Sequence, residues 1–370
     1  MATTEILPDG LIELYAGEKA NVDIVFVHGL RGHPQTTWEA FDTSDGEKIF
    51  WPSKLLPETI PKSRIFSFGY LTEFVTFYPV IKPPAIAHTS IDDNSTSLLV
   101  KLGNRRSETG TINRPIIFVA HSLGGLVVAN GLSSQAGSNE QRQEVVANTC
   151  GTIFLGTPFK GSEKAVWAKL AERFLGLFGD SNEQTIKDLD KRSMKLQQIS
   201  EDFHKVLRQR YDSSQLNPIQ VACFFETTTT TKTIWKTKKD LGLIVTKQSA
   251  TLAGDDGMPV NADHCAMCRF SNTQIAGYVD ITETIKLMVE NWGKKTADRE
   301  NNGRINIRLG EVKQGDGVLN FGIVSGHVIG TVKDAVNQRV SNSFTSSTDG
   351  TSTNDAAIKA WGQKKSVQEG

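Results

Sequence analysis

The stretch Pro115-Ile-Ile-Phe-Val-Ala120-His121-Ser122-Leu123-Gly124-Gly125-Leu126-Val-Val-Ala129 decides how the chain is read. Its first half is apolar on consecutive positions, the pattern of a short strand buried on both faces. Its second half, Leu123 to Leu132, reads as a helix packed under a sheet. Between them stands a serine flanked by small residues. A strand, a sharp turn and a helix with serine at the tip form a nucleophile elbow, which lifts the hydroxyl above the sheet edge. The turn is too tight for large neighbours, hence Gly124 and Gly125. Ala120 stands where a glycine is more usual.

Outward from this stretch, four more apolar runs have strand length and composition: Ile24 to Val27, Arg64 to Phe68, Thr152 to Leu155 and Ile219 to Phe225. They alternate with helical patterns, and a closing helix is expected from about Thr273 to Trp292. Such alternation predicts a mostly parallel sheet covered by helices. Glu163 to Phe178 carries Val166, Leu170, Phe174 and Phe178 at fourfold spacing, and Asn182 to Tyr211 is long, charged and periodic. These two stretches are expected to form a helical lid insertion over 163–211; an ordinary packing helix fits the same amphipathic pattern. Thr227 to Lys239 reads as a surface excursion.

A serine nucleophile needs a base and an acid in chain order. Of the seven histidines, His264 follows the last strand within the core, whereas His327 lies in a glycine-rich tail. His88 comes too early and His204 sits on a helix. Glu226 closes the apolar run Val221-Ala-Cys-Phe-Phe225 where the acid belongs, with Asp240 as the alternative acid. Asp263 is too close to His264 to reach round its ring. His28-Gly29-Leu30-Arg31-Gly32 follows the first apolar strand and is expected to supply the second oxyanion donor. The candidate donors are the amides of Leu30 and Leu123. His28 is expected to hold this loop by hydrogen bonding.

Composition narrows the function classes. Lys+Arg and Asp+Glu both total 41 in 370 residues, so nucleic acid is not expected as an electrostatic partner. An apolar, peripheral membrane contact stays open. No run of about 20 apolar residues is present, and the first 15 residues lack a secretory pattern, so the expectation is a cytoplasmic protein. Four cysteines are too few for a disulfide framework. Cys265-Ala-Met-Cys268 has ligand spacing but no second pair to complete a tetrahedral site, so no metal or organic cofactor is expected.

These readings divide the chain into a lead-in (1–20), a catalytic domain (21–293) and a linker with a tail (294–370). The fold class expected is α/β: an α/β-hydrolase fold with a mostly parallel central sheet, helical cover, a lid insertion and a β-prone or disordered tail. Gly303 to Val332 is β-rich and punctuated by glycine, and from Ser341 onward the chain is rich in Ser, Thr, Asn and Asp.

Several separated motifs carry a resemblance over residues 20–293. They are Val27-His-Gly-Leu-Arg-Gly-His33, Trp51-Pro-Ser-Lys-Leu-Leu56, Ile65-Phe-Ser-Phe-Gly-Tyr70, Ala120 to Gly125, Phe154-Leu-Gly-Thr-Pro158, Ser249-Ala250 and Ala262-Asp-His-Cys-Ala-Met-Cys268. Together they resemble a lipase-like serine esterase family, related to the serine-active-site-containing protein of phospholipid remodelling and to GPI-inositol deacylase. Within it the chain is most similar to the fungal SesB-like hydrolase domains associated with NOD-like receptors. The resemblance implies hydrolysis of a lipid or small acyl ester through an acyl-enzyme, in an effector of incompatibility or immunity. It also implies that residues 301–332 form an amyloid-signalling motif engaged by a NOD-like receptor. Asn301-Asn-Gly-Arg-Ile-Asn-Ile-Arg-Leu-Gly310 and Gly317-Val-Leu-Asn-Phe-Gly-Ile-Val-Ser-Gly326 suit stacked strands.

Overall fold

The computed structural model describes residues 9–41, 46–71, 90–134, 139–159, 169–170, 172–174, 176–177, 183–213, 216–234, 237–252, 254–303, 306–314 and 317–325. In chain order the strands are β1 (Gly10–Ala16), β2 (Val22–Val27), β3 (Glu39–Phe41), β4 (Lys48–Phe50), β5 (Ser63–Gly69), β6 (Ile116–His121) and β7 (Thr149–Leu155). They continue with β8 (Gln220–Glu226), β9 (Thr231–Ile234), β10 (Thr237–Asp240), β11 (Met258–Val260), β12 (Asn306–Gln314) and β13 (Gly317–Ser325). The helices are α1 (Trp51–Lys54), α2 (Leu56–Thr59), α3 (Ile91–Glu108), α4 (Gly124–Ser133), α5 (Glu140–Asn148), α6 (Glu183–Asp212), α7 (Lys247–Ala250) and α8 (Ala276–Gly303).

Every residue of β2, β5, β6 and β7 is buried, as their continuous apolar runs require. Seven strands form one sheet in the order β1-β5-β2-β6-β7-β8-β11. All neighbours are parallel except β1, which pairs antiparallel with β5. Successive strand side chains face opposite ways, and two cores result. Val25 and Val27 pack with Leu99 of α3, Leu126 of α4 and Phe203 of α6. Ile24 and Phe26 pack on the other face with Trp51 of α1, Leu56 of α2 and Tyr278, Ile281 and Ile285 of α8. This is the α/β-hydrolase fold.

The chain reverses its direction of travel across the sheet at β2, which has β5 on one side and β6 on the other. Ligands of open α/β sheets bind outside the C-terminal strand ends at such a switch point. Ser122 follows β6 there, and the loop Gly29 to Gly32 follows β2.

The structure departs from the sequence expectations in several places. The lead-in 1–20 contains β1, an edge strand whose half-buried residues never form a continuous apolar run. The three-residue β11, with Pro259 inside it, had no recognisable strand pattern. α8 runs on through Gly303, across the expected linker at Gly293 to Asn302. That stretch has no proline and is rich in helix formers, with Glu290 and Lys294 paired at i,i+4. Thr227 to Lys239 holds the β9–β10 hairpin, whose second strand is exposed throughout. Of the expected lid, α6 covers the long charged stretch, and residues 169–170, 172–174 and 176–177 are helical. Val166, Trp167 and Phe178 lie outside the described residues, as do His88, His327 and the chain from Ser341. Among the described residues no helix is long and apolar enough to cross a membrane.

The chain divides into two units, Met1–Lys295 and Thr296–Gly370. The first holds the seven-stranded sheet. The second holds the antiparallel hairpin of β12 and β13, with Asn306 opposite Ser325 and Gln314 opposite Gly317.

Candidate active site

Ser122 sits at the tip of the turn between β6 and α4 with φ at +56°, a left-handed conformation strained for any residue with a β-carbon. The turn is held by the Ser122 amide, which donates to the Leu155 carbonyl at 2.8 Å. Its glycines are sterically obligatory. A β-carbon on Gly124 would lie 2.2 Å from the His28 carbonyl oxygen, and one on Gly125 would lie 2.1 Å from Thr157 Oγ1. The small residues that mark the elbow in the sequence therefore let α4 press against the β2 loop and the β7 end.

His264 stands four residues beyond β11, and its Nε2 is 3.0 Å from Ser122 Oγ. Its Nδ1 is 2.5 Å from Glu226 Oε2 at the end of β8. The carboxylate fixes the tautomer: Nδ1–H donates to Glu226, which leaves the Nε2 lone pair for the serine hydroxyl. Glu226 is buried and its other oxygen accepts the Val245 amide at 3.0 Å. All three side chains are almost wholly removed from solvent, which strengthens each hydrogen bond. Asp240 lies at the exposed end of β10, where its Oδ1 accepts the Gly242 amide at 2.8 Å. Asp263 Oδ1 accepts the amides of Cys265 and Ala266.

The loop after β2 faces this trio. Among the described residues the amides of Leu30 and Leu123 carry no hydrogen bond, although both residues are buried. Buried donors are rarely left unmatched, and a developing oxyanion would satisfy them. His28 anchors the loop: its Nδ1 donates to the Gly29 carbonyl at 2.9 Å, and its ring stacks on Tyr70. The Tyr70 hydroxyl donates back to the His28 carbonyl at 2.7 Å.

Burial, helped by His33, holds the His28 pKa at about 4. Below about pH 6.5 the unfolded chain therefore takes up a proton that the folded chain refuses until about pH 4. This contribution to stability is full above pH 6.5 and is lost as the pH falls towards 4. Urea unfolding at pH 7 and pH 4.5 should register a loss of about 2 kcal/mol from this residue. The acid-induced loss should be smaller by that amount in His28→Gln, and equal losses in both proteins would refute the assignment.

Three contacts at the site had no signature in the sequence. His121 Nε2 donates to the His264 carbonyl at 2.8 Å, with the two rings 4.9 Å apart. Burial keeps this imidazole well below its usual range, hence neutral. Thr230 Oγ1 accepts the His264 amide at 3.3 Å. Phe174, from the helical residues before α6, meets the His264 ring edge-on at 5.6 Å. Each links positions far apart in the chain. A cavity of about 110 Å³ opens on Ser122 and His264, with Leu30, Phe174 and Leu177 among its apolar lining. Among the described residues no group of three or more His, Cys, Asp or Glu is placed to hold a metal ion.

No family model matches the sequence. Protein SERAC1 of Danio rerio is 30% identical over 276 residues, covering 70% of this chain and 39% of that protein. Protein SERAC1 of Homo sapiens is 28% identical over 277 residues, covering 70% of this chain and 38% of that protein. The chain thus spans about two fifths of the length of these relatives. Among solved structures, the Pyrococcus furiosus esterase Pf2001 aligns at 12% identity and a TM-score of 0.38, over 74% of this chain and 82% of that one. Esterase B of Lactobacillus rhamnosis aligns at 10% identity and a TM-score of 0.42, over 78% and 82%.

Proposed function

We propose that this chain is a serine hydrolase of carboxylic esters. The observation that carries the reading is the continuous path from Ser122 Oγ to His264 Nε2, and from His264 Nδ1 to Glu226. His264 takes the Ser122 proton as Oγ bonds to the ester carbonyl carbon. The amides of Leu30 and Leu123 hold the resulting oxyanion. Collapse of the tetrahedral intermediate breaks the bond to the alcohol, which leaves with the proton from His264. Water then attacks the acyl-serine, again giving its proton to His264, and the acid departs as the serine is regenerated. A lipid ester is the favoured substrate class, since Leu30, Phe174 and Leu177 offer it apolar surface. Fluorophosphonate labelling of the purified chain tests the reading; labelling undiminished in Ser122→Ala would overturn it.

A second reading concerns regulation and rests on the β12–β13 hairpin. Among the described residues its two strands form a sheet with no third member, so both edges present unpaired backbone groups. In this reading residues 301–332 pair edge to edge with copies of themselves or with a NOD-like receptor segment of the same character, and assembly controls the hydrolase. Seeded fibres of the full chain should diffract at about 4.7 Å, as stacked strands do. A chain ending at residue 295 that forms the same fibres would remove the tail from the account.

A further inference from the structure

The cavity beside Ser122 is lined by two arginines and, among its described residues, by no carboxylate. Arg31 comes from the loop after β2, and Arg269 follows the Ala266–Cys268 turn. Arg31 holds φ at +49°, where glycine is the undemanding choice. Glycines stand at 29 and 32, yet the strained position carries a long cation. Strain of that kind persists where a side chain is needed at its place.

Arg269 donates Nε–H to the Thr37 carbonyl at 3.2 Å, which orients the guanidinium. Among the described residues no carboxylate pairs with it, so its two terminal nitrogens keep their donors for a ligand. Its charge reaches the neighbouring side chains. It opposes the burial that pushes the Cys268 thiol up to about 12, and it adds to the burial that keeps His121 neutral. The carboxylates that act on Cys265 are committed elsewhere. Glu226 holds His264 and the Val245 amide, Asp263 holds the Cys265 and Ala266 amides, and neither lines the cavity.

A cation beside a cleft focuses its field on an incoming anion, and guanidinium matches the geometry of carboxylate and phosphate. We infer that the ester attacked by Ser122 carries an anionic group, carboxylate or phosphate, which Arg31 and Arg269 hold beside the reacting carbonyl. The inference rests on the serine-hydrolase reading and adds the charge of the substrate to it. Such an anchor fixes the carbonyl relative to Oγ as well as adding affinity.

The test uses the full chain and two matched pairs of esters below their micellar concentrations. One pair is p-nitrophenyl valerate and the p-nitrophenyl monoester of glutaric acid. The other is dihexanoylglycerol and dihexanoyl phosphatidic acid. At low salt, kcat/KM should be on the order of tenfold higher for the anionic member of at least one pair, as for a charge-assisted contact. The pair that responds distinguishes carboxylate from phosphate. The preference should shrink in Arg269→Met and Arg31→Gly, and at high ionic strength. Equal or slower turnover of both anionic members overturns the inference, as does a preference that survives both substitutions. A wild type that turns over none of the four esters and leaves Ser122 unlabelled by fluorophosphonate overturns the hydrolase reading, and this inference with it.

Discussion

Ser122→Ala should lower kcat for any ester the protein hydrolyses by about 10⁴- to 10⁶-fold, with KM little changed. In the proposed mechanism the serine hydroxyl is the atom that bonds to carbon, so nothing downstream of it survives the substitution. His264→Ala should cost nearly as much, because among the described residues His264 Nε2, at 3.0 Å, is the base within hydrogen-bond reach of the Ser122 hydroxyl. Glu226→Gln is the informative member of the series. It keeps the shape of the side chain and leaves one amide group facing Nδ1 at the 2.5 Å contact. A neutral partner can stabilise the tautomer with the proton on Nε2, which cannot accept from serine; about 10⁴-fold is the expected loss. Ser122→Ala combined with His264→Ala should be no worse than either alone, since the residues act as one unit. Additive losses would mean that the two side chains work independently, and the relay would have to be abandoned.

The trio was legible in the sequence for a steric and a topological reason. The elbow leaves its mark because the turn cannot hold larger residues, as the 2.2 Å and 2.1 Å approaches at Gly124 and Gly125 show. Glu226 and His264 follow from chain order, which mirrors the strand ends that meet above the sheet. Asp240 fitted that order almost as well, and only the hairpin geometry separates it: it lies at an exposed strand end, turned back on Gly242. What supports the trio was not legible. Val245 on Glu226, Thr230 and His121 on His264, and Phe174 on the imidazole ring are contacts between residues with no shared period or motif. The edge strand β1 escaped for a different reason. A strand half open to water needs no run of apolar residues, so its sequence resembles that of a loop.

The opposite end of the sheet carries a second buried polar cluster, and Asp23→Ala should expose how much the fold depends on it. Asp23, the second residue of β2, is fully buried. Its two oxygens accept Nε–H and Nη2–H of Arg64, each at 2.9 Å, and Nη1–H of Arg114 at 3.0 Å, together with a contact from Arg106 Nη1. One carboxylate thus serves three guanidinium groups, two of them as buried as itself. Arg106 also donates to the carbonyls of Ile112 and Arg114, and Arg64 to the hydroxyls of Thr109 and Thr111. These bonds tie β2, β5 and the C-terminal end of α3 together where the strands begin. Removing the carboxylate leaves buried cations facing one another, and arginine cannot shed its proton to escape. A loss of about 3–5 kcal/mol in urea unfolding is expected, a large part of the 5–15 kcal/mol that holds a typical domain together. Asp23→Leu with Arg106→Met should recover part of it, because the second change removes a cation whose charged form burial disfavours. Fluorophosphonate labelling of the folded fraction should be unchanged throughout, since the cluster sits at the N-terminal strand ends and Ser122 at the C-terminal ends. A loss below about 1 kcal/mol would mean that water enters to solvate the arginines, and that the cluster behaves as a surface ion pair.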